Sequence, residues 1–144
     1  MASKVYGNAI KAAFNKEIDW DSDTIKVLLV SSAYTPNQDS HDYLDDVVAN
    51  EVSGTGYTAG GQSLATKTLT YDGSTNTWKF DAADTTWANS TLTARYAIVY
   101  DDAGATNATK PLIAYYDFTT DRASSNGEFT VRWSADGVFT ASAA

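Results

Sequence analysis

The chain predicts a mainly β fold: a single-domain β-sandwich or jelly roll of about seven to eight strands, with one or two short N-terminal helices. Three observations lead there. Beyond Gly61 the hydrophobic period is two, broken by turn residues at short intervals, as in sheets with one buried face. A parallel βαβ sheet needs a helix between consecutive strands, and the second half has no room for helices. The 144 residues, 43% hydrophobic and 12% aromatic, suit one domain with a real core.

Residues 8–16, NAIKAAFNK, place Ile10, Ala13 and Phe14 at helical spacing. A helix this short is marginal alone, so it must dock on its own domain or on a neighbour. We read residues 1–20 as a short helix or arm reaching a neighbouring subunit, and residues 21–144 as the β-domain. After the polar turn EIDWDSD, TIKVLLVSS at residues 24–32 is a short apolar run that reads as a buried strand. A loop follows, marked by Thr35-Pro36-Asn37. Residues 41–50 read as a helix. Asp39 or Ser40 is placed to cap it, Asp42, Asp45 and Asp46 favour its N-terminal end, and Leu44, Val47 and Val48 form its apolar face.

Next come Gly54, Gly56, Gly60 and Gly61, four glycines within eight residues. We read them as a flexible-backbone connection between the 41–50 helix and the sandwich, letting Tyr57 meet a neighbouring subunit. Residues 63–81 then read as a hairpin turning at Asp72-Gly73. TLTARYAIVY at residues 91–100 is the strongest strand, with Ala94, Tyr96, Ile98 and Tyr100 on one face and Arg95, Ala97 and Val99 on the other. Leu112 to Phe118 is another strand, with Pro111 at its start. Residues 128–134 and 138–142 read as a last hairpin, with turn signals at Asn126-Gly127 and Asp136-Gly137.

Composition narrows the partners. The net charge is −8, and only ten Lys and Arg are scattered along the chain. Phosphate backbones are bound by clustered basic residues, so neither nucleic acid nor an anionic membrane is expected. No stretch approaches the about 20 apolar residues of a membrane span. Without cysteine there is no disulfide, thiolate metal site or Cys nucleophile. The N-terminal segment lacks the apolar run of a secretory signal, so synthesis in a cytoplasm is expected. On that ground the sequons at Asn89 and Asn107 read as accidental.

No motif assembles a credible active site, and no cofactor or metal is expected. Gly54-x-Gly56-x-x-x-Gly60 has neither dinucleotide-loop nor P-loop spacing, and the predicted helix precedes it. Asp19, Asp21 and Asp23 match the first acids of a calcium loop. Thr24 and Val30 stand where that loop needs Gly and Glu, so a solvated turn is the simpler reading. His41 is the only histidine and has Asp42 beside it, but no nucleophile motif accompanies them. Trp78, Trp87 and Trp133 suit sugar stacking in principle, with core or interface roles the stronger reading. Arg95, inside an apolar strand, requires an acidic partner, within the chain or across a subunit boundary.

Three pieces carry a family resemblance: the DWDSDTIKV entry, the VSGTGYTAGG segment and the ARYAIVY strand. Together they resemble a family of small virion structural proteins of tailed bacteriophages, over roughly residues 6–140. The resemblance implies a particle component with no enzymatic role, located in the virion. Within it, a capsid decoration or cement protein is favoured, associating with itself and with a major capsid protein or another virion protein. A tail, neck or fibre-base adaptor is the alternative, and a carbohydrate-binding module is a third reading of a different class. Candidate interface residues are Tyr6, Ile10, Phe14, Tyr57, Trp87 and Arg95.

Overall fold

The computed structural model describes residues 3–143. It is mainly β, a single sandwich-like domain with ten strands in three sheets among the described residues. In chain order these are β1 (Ser3–Val5), β2 (Ile25–Val30), β3 (Gln62–Ser63), β4 (Thr68–Asp72), β5 (Thr77–Asp81), β6 (Thr85–Ser90), β7 (Thr93–Asp101), β8 (Leu112–Ala123), β9 (Gly127–Val131) and β10 (Phe139–Ser142). One α-helix, α1 (Gly7–Phe14), follows β1.

The main sheet runs β1-β8-β7-β2-β3 and is antiparallel throughout. Both of its faces are buried, so VLLV of β2 and AIVY of β7 read as unbroken apolar runs. On one face Val27, Leu29, Ala97, Val99, Ala114 and Tyr116 pack against the β10-β5-β4 and β6-β9 layers through Phe80, Trp87, Phe129, Val131 and Phe139. On the other, Leu28, Val30, Ile98, Tyr100 and Leu112 lie under Tyr6, Ala9, Tyr34, Leu44 and Val47. The short N-terminal elements thus cover a face that would otherwise be wet.

Several sequence expectations need correction. Residues 41–50 form two 3-10 turns, Leu44–Asp46 and Val48–Asn50, without a side-chain cap. Their backbone is claimed by neighbours: Leu44 N–H donates to the Lys110 carbonyl, and Leu112 N–H donates to that of Asp42. Asp42 and Asp46, like charges four residues apart, also disfavour an α-helix there. The strand expected from residue 63 breaks at Thr66, whose φ is +53°, so the hairpin proper is β4–β5. β6 was not anticipated. β9 and β10 do not pair as a hairpin; β9 joins β6 and β10 joins β5. The corner between them is pinned by Trp133, whose N–H and Nε1 donate to Asp84 Oδ1 and the Ala83 carbonyl. In β7 an irregularity between Ala94 and Tyr96 shifts the pleat, so Ala94 joins the core with Ala97 and Val99, not with Ile98.

Residues 3–20 fold back on their own domain. β1 pairs with β8, and the Tyr6 N–H donates to the Ile113 carbonyl at 3.0 Å.

Candidate interaction surface

The residues singled out from sequence separate into inner and outer groups. Tyr6 is fully buried, and its hydroxyl meets that of Tyr34 at 2.9 Å. Tyr34 in turn donates to His41 Nδ1 at 2.7 Å. The sole histidine is therefore engaged by a tyrosine and by the Asn37 N–H, with no serine in that chain of bonds. Trp87 is buried too, stacked on Tyr57 at 5.8 Å and edge-on to Phe129. Its Nε1 has no hydrogen-bond partner, so its place rests on packing.

Tyr57 does not turn outward as expected. Its hydroxyl donates to Glu51 Oε1 at 2.7 Å and accepts the Leu29 N–H at 3.1 Å. Burial raises its pKa; the Leu29 N–H opposes that and Glu51 adds to it. Glu51 Oε1 also accepts the Gly60 N–H, and the Tyr100 hydroxyl donates to the Gly60 carbonyl. The glycine segment is thus a clamped, closely packed crossing over β2 and not a flexible connection. Arg95 is partly exposed, and its Nε and Nη2 donate to the two carboxylate oxygens of Asp117 at 2.6 and 3.2 Å. The described partner of this arginine lies in its own chain. The bidentate pairing, aided by the Thr119 N–H, holds Asp117 below the usual carboxylate range.

The acidic entry turn is also internally satisfied. Asp19 Oδ1 accepts the N–H groups of Asp21 and Ser22. The Lys67 ammonium donates to the carbonyls of Trp20 and Asp23, both at 2.6 Å, and lies 5.9 Å over the Trp20 ring. The cation organising this turn is a lysine of the chain itself. No group of three or more His, Asp or Glu stands in a metal-holding arrangement among the described residues. No helix among them is long and apolar enough to cross a membrane.

Two of the sequence candidates do face solvent. Phe14 is 86% exposed and Ile10 is 61% exposed, both on α1. The other large exposed hydrophobics among the described residues are Tyr71 at 49% and Trp78 at 43%. Ile10 and Phe14 line an apolar groove, and Tyr71 and Trp78 lie on the sheet face that carries Ala141 of its other wall. The groove, of about 350 Å³, runs between α1 and the edge strand β10. Ile10 and Phe14 form one wall, Phe139 to Ser142 the other, and Trp20, Phe80 and Ile113 the base. Ala141 pairs directly with Trp78, and Trp78 with Tyr71, so those side chains share one face of the sheet. The Tyr71 and Trp78 rings touch at 5.0 Å. This face packs in the core at Phe80 and Phe139 and then runs past the core's edge, where Trp78 and Tyr71 are left bare.

Sequence reasoning found Ile10 and Phe14 through helical spacing. It missed the groove because Phe139 and Ala141 come from a strand expected to pair with β9, which instead joins β5 beside Phe80. The alternation of Leu69 with Tyr71, and of Trp78 with Phe80, was the available signal.

No protein-family model, curated protein or solved structure matches this chain at a significant level.

Proposed function

We propose that the chain is a non-enzymatic structural component of a tailed-phage particle, a decoration protein that binds the assembled head through subunit contacts. The observation that carries the reading is the apolar surface between α1 and the β4–β5–β10 sheet. Ile10 and Phe14 stand in solvent on the groove's α1 wall, Tyr71 and Trp78 lie bare on the sheet face that carries Ala141 of its other wall, and exposed apolar surface of this kind marks interaction sites. The sequence resemblance gives the setting, and the acidic surface suits electrostatic steering toward a basic patch on a protein partner. Contacts offered only by the finished lattice would stabilise it by mass action.

The test is direct. Purified protein mixed with expanded heads lacking it should co-sediment and raise their resistance to heat. Recovery with purified tails instead would move it to the tail or neck, and absence from purified virions would remove the virion reading altogether.

The touching, exposed Tyr71 and Trp78 rings favour a second reading, stacking on host-surface glycans. It is the weaker one, because Trp87 and Trp133 are buried and the remaining rings are tilted by 43° and form no flat platform. Loss of glycan retention on Trp78→Ala, with head binding absent, would favour it.

A further inference from the structure

We infer that His41 makes the docking of the N-terminal segment sensitive to acid: a proton taken up at Nδ1 breaks the hydrogen-bond chain behind the loop that holds Val5 to Asn8, and the segment loosens. This holds whether or not the chain binds a phage head.

One fixed donor sets the polarity of the chain. A backbone N–H can only donate, and that of Asn37 meets His41 Nδ1 at 3.3 Å. Nδ1 is therefore an acceptor and the imidazole is neutral, with its proton on Nε2. The Tyr34 hydroxyl, 2.7 Å from the same nitrogen, must then donate to it. That leaves the Tyr34 oxygen to accept from the Tyr6 hydroxyl at 2.9 Å. The order Tyr6 to Tyr34 to His41 uses every proton. Both tyrosines are buried, whereas His41 is half-buried and within reach of protons from solvent.

Protonation reverses this chain and leaves it unsatisfied. Nδ1 becomes a donor, so the Asn37 N–H loses its acceptor and faces another N–H. Tyr34 has to accept from the imidazolium and donate to Tyr6. The Tyr6 hydroxyl proton is then stranded, since its bond to Tyr34 is the one it makes among the described residues. A buried donor without an acceptor is costly.

The same loop carries the N-terminal segment. Residues 37–41 close on themselves: the His41 N–H donates to the Asn37 carbonyl, and Asn37 Oδ1 accepts the N–H groups of Asp39 and Ser40. From this ring the Gln38 carbonyl accepts the Gly7 N–H at 2.9 Å, and Gln38 Nε2 donates to the Val5 carbonyl at 2.7 Å. Asn8 Nδ2 donates to the carbonyls of Asp39 and His41, each at 3.4 Å. The segment thus depends on the loop at Val5, Gly7 and Asn8, and on the tyrosine chain at Tyr6.

Other titratable groups surround the loop. Its acids are Asp39 and Asp42, with Asp45 and Asp46 in the 3-10 turn beyond and Glu17 bonded to Tyr43. Lys4 and Lys11 are the cations of the N-terminal segment, and Tyr96 and Tyr115 pack on Tyr34 and Tyr6. Beside Pro36 stands Asp117, already paired with Arg95. The imidazole itself bonds to Tyr34 and Asn37 among the described residues. The acids favour the imidazolium and oppose release, but they are exposed or half-exposed and screened by water and salt. A free histidine takes up its proton at about pH 6.5. The docking supplied by this chain is therefore complete above that value and is lost as the pH falls below it.

The experiment is native-state hydrogen exchange on the whole chain, read by NMR as protection factors at about pH 7.5 and about pH 5. The amides of Tyr6 and Gly7, bonded to the Ile113 and Gln38 carbonyls, should lose about tenfold in protection at the lower pH. Those of Leu28 and Ile98, paired across β2 and β7, should lose none. His41→Asn sets an amide oxygen where Nδ1 accepts and takes up no proton, so its Tyr6 and Gly7 protection should not fall. Equal wild-type protection at the two pH values would overturn the inference. So would the same loss in His41→Asn, which would assign the effect to Asp42 and its neighbouring acids. A loss shared by Leu28 and Ile98 would overturn it too, because the whole domain would then be opening.

Discussion

At Gly61 the chain turns with φ +76°, and a Cβ there would run into the Val27 carbonyl oxygen and stand 2.7 Å from the Leu28 Cα. An L side chain in this region costs roughly 1–2 kcal/mol, before any shift of the β2 backbone is counted. Gly61→Ala should therefore lower the unfolding free energy by about 2–4 kcal/mol. Gly73, whose added Cβ would find its nearest neighbour 3.9 Å away, is the control; Gly73→Ala should change stability by less than about 0.5 kcal/mol. Equal urea midpoints for the two variants would contradict the close-packing account. That some glycines here are obligatory was legible in their density; that Gly61 is the most tightly enclosed of the four was not, because β2 approaches it from over thirty residues away. Asp101 offers a second residue-scale prediction. It is fully buried, with Oδ2 accepting the Asp19 N–H and Oδ1 the Ala103 N–H. Burial pushes its pKa up to about 6; the two N–H groups oppose this and neighbouring Asp23 adds to it. Between the ordinary carboxylate range and about 6, the folded state holds more protons than the unfolded chain. This group's contribution thus falls as pH rises through that window, by at most about 3 kcal/mol. Asp101→Asn should abolish that slope, read from urea unfolding at pH 4 to 7. It should also cost about 1–3 kcal/mol at low pH, because one of the two N–H groups loses its acceptor. An unchanged slope would show that another group sets it.

At the scale of elements, sequence spoke clearly where a segment's neighbours in space were implied by its own pattern. β2, β7 and the first half of β8 are apolar runs bounded by turn residues, and they form the buried centre of the main sheet. α1 was legible as a helix but not in its packing: the spacing of Ile10, Ala13 and Phe14 is helical, yet those residues are exposed, and Ala9 and Ala12 are the ones buried. Elements went astray where a distant strand decided the outcome. β9 and β10 are joined by a tight turn, as the Ser134–Gly137 bridge attests, yet each is drawn to a different sheet. The 41–50 segment has the apolar spacing of a helix, but bonds to residues 110–112 fix its backbone otherwise. The entry turn was read correctly as a turn, whereas its closing cation lies 44 residues away from Asp23. Lys67→Met keeps most of the side-chain length and removes the ammonium. It should cost about 1.5–3 kcal/mol, the range for hydrogen bonds to a charged donor. Calcium or a chelator should leave the wild-type thermal midpoint where it is, and a calcium-dependent rise would mean that the acids of this turn bind metal after all.

The whole molecule is closed by its two ends. β1 lies on the edge of β8, and β10 on the edge of β5, so the first and last strands complete different layers of one sandwich. The N-terminal segment then has two faces with different duties. Tyr6, Ala9 and Ala12 are buried in the domain, while Ile10 and Phe14 remain in solvent. An arm that merely reached a neighbour could be removed without loss to its own domain, whereas this one caps the Leu28, Ile98 and Leu112 side of the main sheet through Tyr6 and Ala9. The two roles separate by mutation. Tyr6→Ala removes a fully buried ring and should cost about 3–5 kcal/mol, as for other large aromatics. That is a large part of the 5–15 kcal/mol that holds a typical domain. Tyr6→Phe keeps the ring and loses only the bond to Tyr34, for about 1 kcal/mol. Deleting residues 1–14 goes further: it uncovers that face and frees the β8 edge, which is then open to pairing with another chain. The shortened chain should lose its cooperative urea transition and aggregate. If it instead unfolds at the midpoint of the whole chain, the first fourteen residues contribute nothing to the domain, and their burial would belong to an arm free to leave it for a neighbour.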